Sequence, residues 1–106
     1  MLPGRTLLVA TALMLGAVAI PAHGATIQIV MENLVFSPAD ATARVGDTIE
    51  WINKDVFAHT ATARSGDWDV TIPPKKTVTS VLKKAGTTDY YCRFHPNMKA
   101  VLNVAP

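Results

Sequence analysis

Thr77-Val78-Thr79-Ser80-Val81-Leu82, Lys83-Lys84-Ala85-Gly86, Thr87-Thr88-Asp89-Tyr90-Tyr91-Cys92: this stretch decides the fold class. Two runs rich in Thr, Val and Tyr, side chains that suit a pleated and half-buried surface, flank four residues of turn chemistry. The reading is strand, turn, returning strand. The same pattern recurs upstream. Residues 26–31 alternate Ile27, Ile29 and Met31 against Thr26, Gln28 and Val30, and residues 34–36 stop at Ser37-Pro38. Residues 41–45 lead into Gly46-Asp47, after which residues 48–53 alternate again, with Ile49 and Trp51 on one face. Past Asn53-Lys54-Asp55 come extended runs at 56–63 and 68–72, separated by the turn Arg64-Ser65-Gly66-Asp67, and residues 99–104 close the chain. There is no helix-period stretch, repeat or low-complexity tract after residue 25. Short strands with a turn signal about every ten residues predict an all-β Greek-key sandwich of about seven to eight strands.

The N-terminal segment is excluded from that fold. Arg5 precedes a nearly unbroken apolar run at residues 7–20, Pro21 breaks it, and Ala22-His23-Gly24 supplies the small residues a signal peptidase reads. The run is shorter than the ~20 residues a bilayer-spanning helix needs, so a cleaved signal is expected rather than an anchor. Cleavage after Gly24 is favoured over cleavage after Ala22. A single arginine before the run excludes a twin-arginine signal and leaves Sec-type export to the periplasm. The expected organisation is residues 1–24 as signal and 25–106 as one domain, with no membrane span after processing.

The mature part carries nine Lys and Arg against eight Asp and Glu, which does not suit nucleic acid as a partner. Its 82 residues form a small core, and domains of that size often recruit a disulfide or a metal. Cys92 is the only cysteine, which excludes an intrachain disulfide. A free thiol in an oxidising compartment calls for a role, and ligation of a metal is one.

Cys92-Arg93-Phe94-His95-Pro96-Asn97-Met98 has the form C-x2-H-x2-M. A thiolate, an imidazole and a thioether on one tight loop are soft donors suited to copper in both oxidation states; zinc accepts the first two and has little use for the third. A blue copper site also needs a second imidazole from a neighbouring strand. His59 is the candidate, because His23 falls within the expected signal.

At these residues the sequence resembles the cupredoxins. Residues 86–98 look like the family's ligand strand and loop, with a short spacing similar to the amicyanin- and plastocyanin-like members. A second match, Val45-Gly46-Asp47-Thr48-Ile49-Glu50-Trp51-Ile52-Asn53-Lys54 followed by His59, resembles the strand and loop of the first copper histidine. The resemblance implies one mononuclear type 1 copper ion held by His59, Cys92, His95 and axial Met98. It implies one-electron transfer rather than enzymatic catalysis. It further implies a monomer serving redox proteins, with a dehydrogenase as donor and a cytochrome c or oxidase as acceptor. Ala58, Thr60 and Ala100 depart from the residues common at their positions, which touches tuning of the site more than metal binding. His95 is the expected surface port, Phe94, Pro96 and Asn97 the expected rim, and Arg93 and Lys99 the flanking charges. Lys75, Lys76, Lys83 and Lys84 read as solvated turn surface, and Asp67, Asp69 and Asp89 as turn or surface carboxylates. Two other readings use the same residues: a carrier that hands copper to an oxidase, and a zinc-stabilised interaction domain.

Overall fold

The computed structural model describes residues 24–106, so the expected signal segment lies outside the described residues apart from Gly24. Nine strands form: β1 (Thr26–Glu32), β2 (Val35–Ser37), β3 (Asp40–Arg44), β4 (Thr48–Asn53), β5 (His59–Ala63), β6 (Asp69–Ile72), β7 (Thr77–Val81), β8 (Gly86–Cys92) and β9 (His95–Ala105). One sheet has the order β2-β1-β4-β7 and the other β3-β9-β8-β5-β6. The chain crosses between the sheets repeatedly, so β1 and β4 pair in parallel, as do β3 and β9, while the remaining pairs are antiparallel. The expected β-sandwich is the fold that forms, with nine strands where about seven to eight were expected.

Alternation places the core. Ile29 and Met31 on β1 and Ile49 and Trp51 on β4 point inward, each at most 1% exposed, and each such side chain contributes roughly 1.5–3 kcal/mol by leaving water. Trp51 lies edge-on to Phe36 and Tyr90 at ring-centroid distances of 6.5 and 5.5 Å, and donates its indole N–H to Ser80 Oγ at 3.0 Å. β5 sits inside its sheet between β6 and β8, and four of its five residues are buried, which is why it is built from small side chains such as Ala61 and Ala63. Before β4, Gly46 takes φ 96°, a turn conformation that disfavours a side chain, and Asp47 caps the turn by accepting Arg44 N–H at 2.8 Å.

Two boundaries differ from the sequence reading, and both concern the site. β5 begins at His59 rather than at residue 56, because the buried Asn53 amide donates to Phe57 O at 2.7 Å and holds residues 54–58 as a loop. β9 begins at His95 rather than at residue 99. Tyr91 pairs with Lys99 and Cys92 with His95, so Pro96, Asn97 and Met98 have no partner on β8 and bulge from the ladder. The C-x2-H spacing is therefore that of a hairpin tip.

Candidate metal centre

Three elements deliver the donors. His59 opens β5 and Cys92 ends β8, both 0% exposed, whereas His95 opens β9 and is half-buried. Cys92 Sγ stands 3.8 Å from His59 Nδ1 and 3.6 Å from His95 Nδ1. All three donor atoms lie within 4.8 Å of one another. An ion that takes imidazole nitrogens at ~2.0 Å and a thiolate at ~2.3 Å in a trigonal plane needs S···N separations of about 3.7 Å. The observed spacings fit that requirement. Met98 sits in the bulge at 3% exposure and lines a shallow surface pocket with Leu34, His95, Pro96 and Asn97.

The sulfur and its loop are fastened to β5 by hydrogen bonds. Thr60 N–H donates to Cys92 Sγ at 3.3 Å. Thr60 Oγ1 accepts Arg93 N–H at 2.8 Å. The Thr62 hydroxyl proton goes to Asp69 Oδ1 at 2.7 Å, so in the Thr60–Thr62 contact of 2.9 Å the proton comes from Thr60. Arg93 Nε completes the circuit to Asp69 Oδ1 at 3.3 Å. Hydrogen bonding from Thr62 and the bond and charge of Arg93 hold the Asp69 carboxyl below the ordinary range, against a smaller desolvation effect. Thr60, a departure from the family pattern, thus anchors the copper loop with its hydroxyl. Ala100, another departure, is 8% exposed and packs in the core.

The other face of His59 meets a carboxylate. His59 Nε2 lies 2.8 Å from Asp55 Oδ2, leaving Nδ1 directed at the sulfur. Asp55 Oδ1 accepts Asn33 N–H at 2.8 Å and Oδ2 accepts Leu34 N–H at 3.1 Å. Burial raises the Asp55 carboxyl, but the hydrogen bonds from His59, Leu34 and Asn33 outweigh it and leave the group below the ordinary range. Asn53, 2% exposed, steadies the same loop through Phe57 O, Pro73 O, Ile72 O and the N–H of Asp55.

At the surface the His95 ring meets Phe57 edge-on at 5.9 Å between centroids. Phe57 is 53% exposed, Phe94 51% and Val56 69%, so Phe94 belongs to the surface rather than the core. Arg93, read from the sequence as a flanking charge, is engaged with Asp69 at 3.3 Å, while Lys84, read as solvated turn surface, is 74% exposed and meets Asp67 at 3.1 Å. Sequence reasoning missed Asp55, Asn53 and Phe57. Asp55 stands four residues before His59, and that spacing was the available signal.

Two imidazoles and a thiolate at this spacing, with Met98 lining a pocket beside His95, define the class: a mononuclear copper protein built on a β-sandwich. Residues 5–104 match the family described as Cupredoxin-like domain. The chain is 30% identical over 105 residues to the methylamine utilization protein MauL of Methylorubrum extorquens, covering 95% of this chain and 92% of that protein. It is similar to the reduced state of an amicyanin variant, with a TM-score of 0.64 and 25% identity over 74% of this chain and 81% of that one. Similarity at the level of fold extends to a purple cupredoxin from Nitrosopumilus maritimus, with a TM-score of 0.65 and 23% identity over 74% of this chain and 99% of that one. The chain belongs to the cupredoxin-like family. It is a copper-dependent electron carrier, not an enzyme.

Proposed function

We propose that this protein shuttles single electrons between redox proteins in the periplasm, with one copper ion held by His59, Cys92 and His95 and by Met98 as axial donor. The observation that carries the reading is the pair of S···N separations, 3.6 and 3.8 Å, which suits a trigonal copper plane. Bound copper supplies the one-electron couple. The chain supplies rigidity: the anchored Cys92 loop and the buried His59 leave little to rearrange when the charge at the site changes. The half-buried His95 ring, met edge-on by the exposed Phe57 and lining a surface pocket with Leu34 and Pro96, is the route by which an electron reaches a docked partner. An apolar rim around the port suits brief encounters between redox proteins.

For the donor we propose a dehydrogenase, by analogy with a relative named for methylamine utilization, and for the acceptor a cytochrome c or oxidase. The protein acts as a monomer. Among the described residues no helix is long and apolar enough to cross a membrane. Export by a signal covering residues 1–24 is supported by the mature end it would create. Ala25 N lies 2.8 Å from Asp47 Oδ1, and Asp47 is 6% exposed, so cleavage after Gly24 would set a new α-ammonium against a buried carboxylate.

A copper carrier that delivers metal to an oxidase would use the same donors but must release the ion readily. The 0% exposure of His59 and Cys92 argues for retention. The test is the optical and EPR spectrum of the copper-loaded protein with Cys92→Ser as control. An intense blue band that reduces reversibly by one electron, is lost in Cys92→Ser, and persists against a competing chelator is expected. A colourless protein, or rapid surrender of copper, would overturn the electron-carrier reading.

A further inference from the structure

β7 is an edge of one sheet and β6 an edge of the other, and a cleft of about 260 Å³ opens between β7 and the turn that leads into β6. Its apolar wall is made by the indoles of Trp51 and Trp68, tilted 39° to each other at 5.9 Å between centroids, with Leu82 and Val104 beside them. Trp51 is 1% exposed and Trp68 half-buried, so Trp68 is the indole that water reaches. The rest of the lining offers donors. Ser80 Oγ accepts the Trp51 indole N–H at 3.0 Å, which leaves the hydroxyl its own proton to give, and Thr88 adds a second half-buried hydroxyl. Asp67 is the one carboxylate of the cleft, and Lys84 answers it at 3.1 Å. Lys83 enters no ion pair among the described residues. Two lysines against one aspartate leave the lining with a net positive charge.

We propose that this cleft binds a small aromatic carboxylate, with its ring against the indoles and its carboxylate toward Lys83 and the Ser80 hydroxyl. The site is separate from the metal centre. Ala85, in the cleft, immediately precedes β8, and Cys92 ends that strand, so the two stand about a strand length, ~20 Å, apart. Size and chemistry select the ligand. A volume below the ~300–1,000 Å³ of sites for drug-sized molecules admits one or two rings, and a mostly apolar wall with a few donors is the usual form of such sites. A planar ring gains apolar burial and offset stacking on the indoles, which an aliphatic acid forgoes. An uncharged ring leaves Lys83 unanswered, and an aromatic cation meets the repulsion of the positive lining. The aromatic carboxylate satisfies both halves of the cleft.

Proton–nitrogen NMR of the copper(I)-loaded and of the metal-free protein tests the cleft directly, since the chain has two tryptophans and both line it. Benzoate is expected to move the indole N–H signals along saturating curves with a Kd of about 1 mM, within reach of a ligand this small. Benzyl alcohol keeps the ring and lacks the charge, and is expected to bind about threefold more weakly; acetate keeps the charge and lacks the ring, and is expected not to saturate. Lys83→Gln, at an exposed side chain, should weaken benzoate about threefold and leave benzyl alcohol unchanged. Ala85→Phe, which fills the cleft with a ring of its own, should remove both, with the signals of β9 unmoved as the mark of an intact fold; if that variant fails to fold, Lys83→Gln decides. Indole signals that stay still, shifts that grow without saturating, benzoate binding indifferent to Lys83→Gln or to a folded Ala85→Phe, or benzyl alcohol bound as tightly as benzoate would overturn the proposal. A native protein without a blue site would fail the electron-carrier reading alone, because the titration of the metal-free protein still decides the cleft.

Discussion

Replacing Tyr90 by Phe should stabilise the protein, and should do so increasingly in alkali. Tyr90 is 0% exposed, enclosed by Phe36 at 4.7 Å and by Trp51 and Trp68 at 5.5 Å between ring centroids. Its hydroxyl has no hydrogen-bond partner among the described residues. A buried polar group left unpaired costs about 1–3 kcal/mol. Removing the oxygen forfeits its packing and leaves a small void, a loss of roughly 0.5 kcal/mol. The net expectation is a gain of about 1 kcal/mol at neutral pH, or about 4–8 °C in Tm for a domain of this size. Burial also pushes the phenol of Tyr90 far above its ordinary value. The folded state therefore keeps this proton while the unfolded chain loses it above ~10. Below that pH both states are protonated and the group adds no pH dependence. Above it the unfolded state holds fewer protons, so native stability falls as pH rises, by ~1.4 kcal/mol per pH unit from this group. Tyr90→Phe lacks the penalty, and its advantage should be level through neutrality and widen above ~10. Urea unfolding of the metal-free protein and its variant at pH 7, 9, 10 and 11 measures this directly. A variant less stable than the native protein, or an advantage independent of pH, would refute the reasoning.

Two further outcomes follow from the site. Asn53→Ala should cost about 3 kcal/mol, because it strands the buried carbonyls that the amide serves, and it should speed copper loss by loosening the segment leading into His59; urea unfolding and dissociation kinetics check both. Met98→Leu should keep copper and raise the reduction potential, since losing a weak axial donor destabilises the oxidised ion more than the reduced one; an unchanged or lower potential by voltammetry would remove Met98 from the donor set.

What could be read from the chain and what could not divides along sequence distance. The strands of the core were legible wherever apolar and polar residues alternate, as at Ile29 and Met31 or Ile49 and Trp51. The run Val56-Phe57-Ala58 looked equally strand-like, since β-branched and aromatic residues favour strands. Yet Val56 and Phe57 are 69% and 53% exposed and lie in a loop, because the Asn53 amide holds Phe57 O and propensity yields to tertiary context. The closely spaced trio Cys92, His95 and Met98 could be read from spacing alone, because a short loop leaves its side chains few ways to part. His59 came from the demand for a second imidazole once His23 was set aside in the expected signal, and its 3.8 Å approach to a sulfur 33 residues away depends on how β5 and β8 pair.

By itself the sequence determined the class of fold and the chemistry of the donors, because strand period, turn residues and soft side chains are local properties. Only the tertiary structure decided which carboxylate backs His59, which hydroxyl anchors the Cys92 loop and which rings surround His95. Asp55 matters through the N–H groups of Asn33 and Leu34, and Thr60 through the N–H of Arg93. Such contacts join strands in different parts of the chain, and their partners are set by register and by the closing of one sheet on the other. A hydrogen bond carries no trace in the sequence when its two ends are brought together only by the packing of the whole domain.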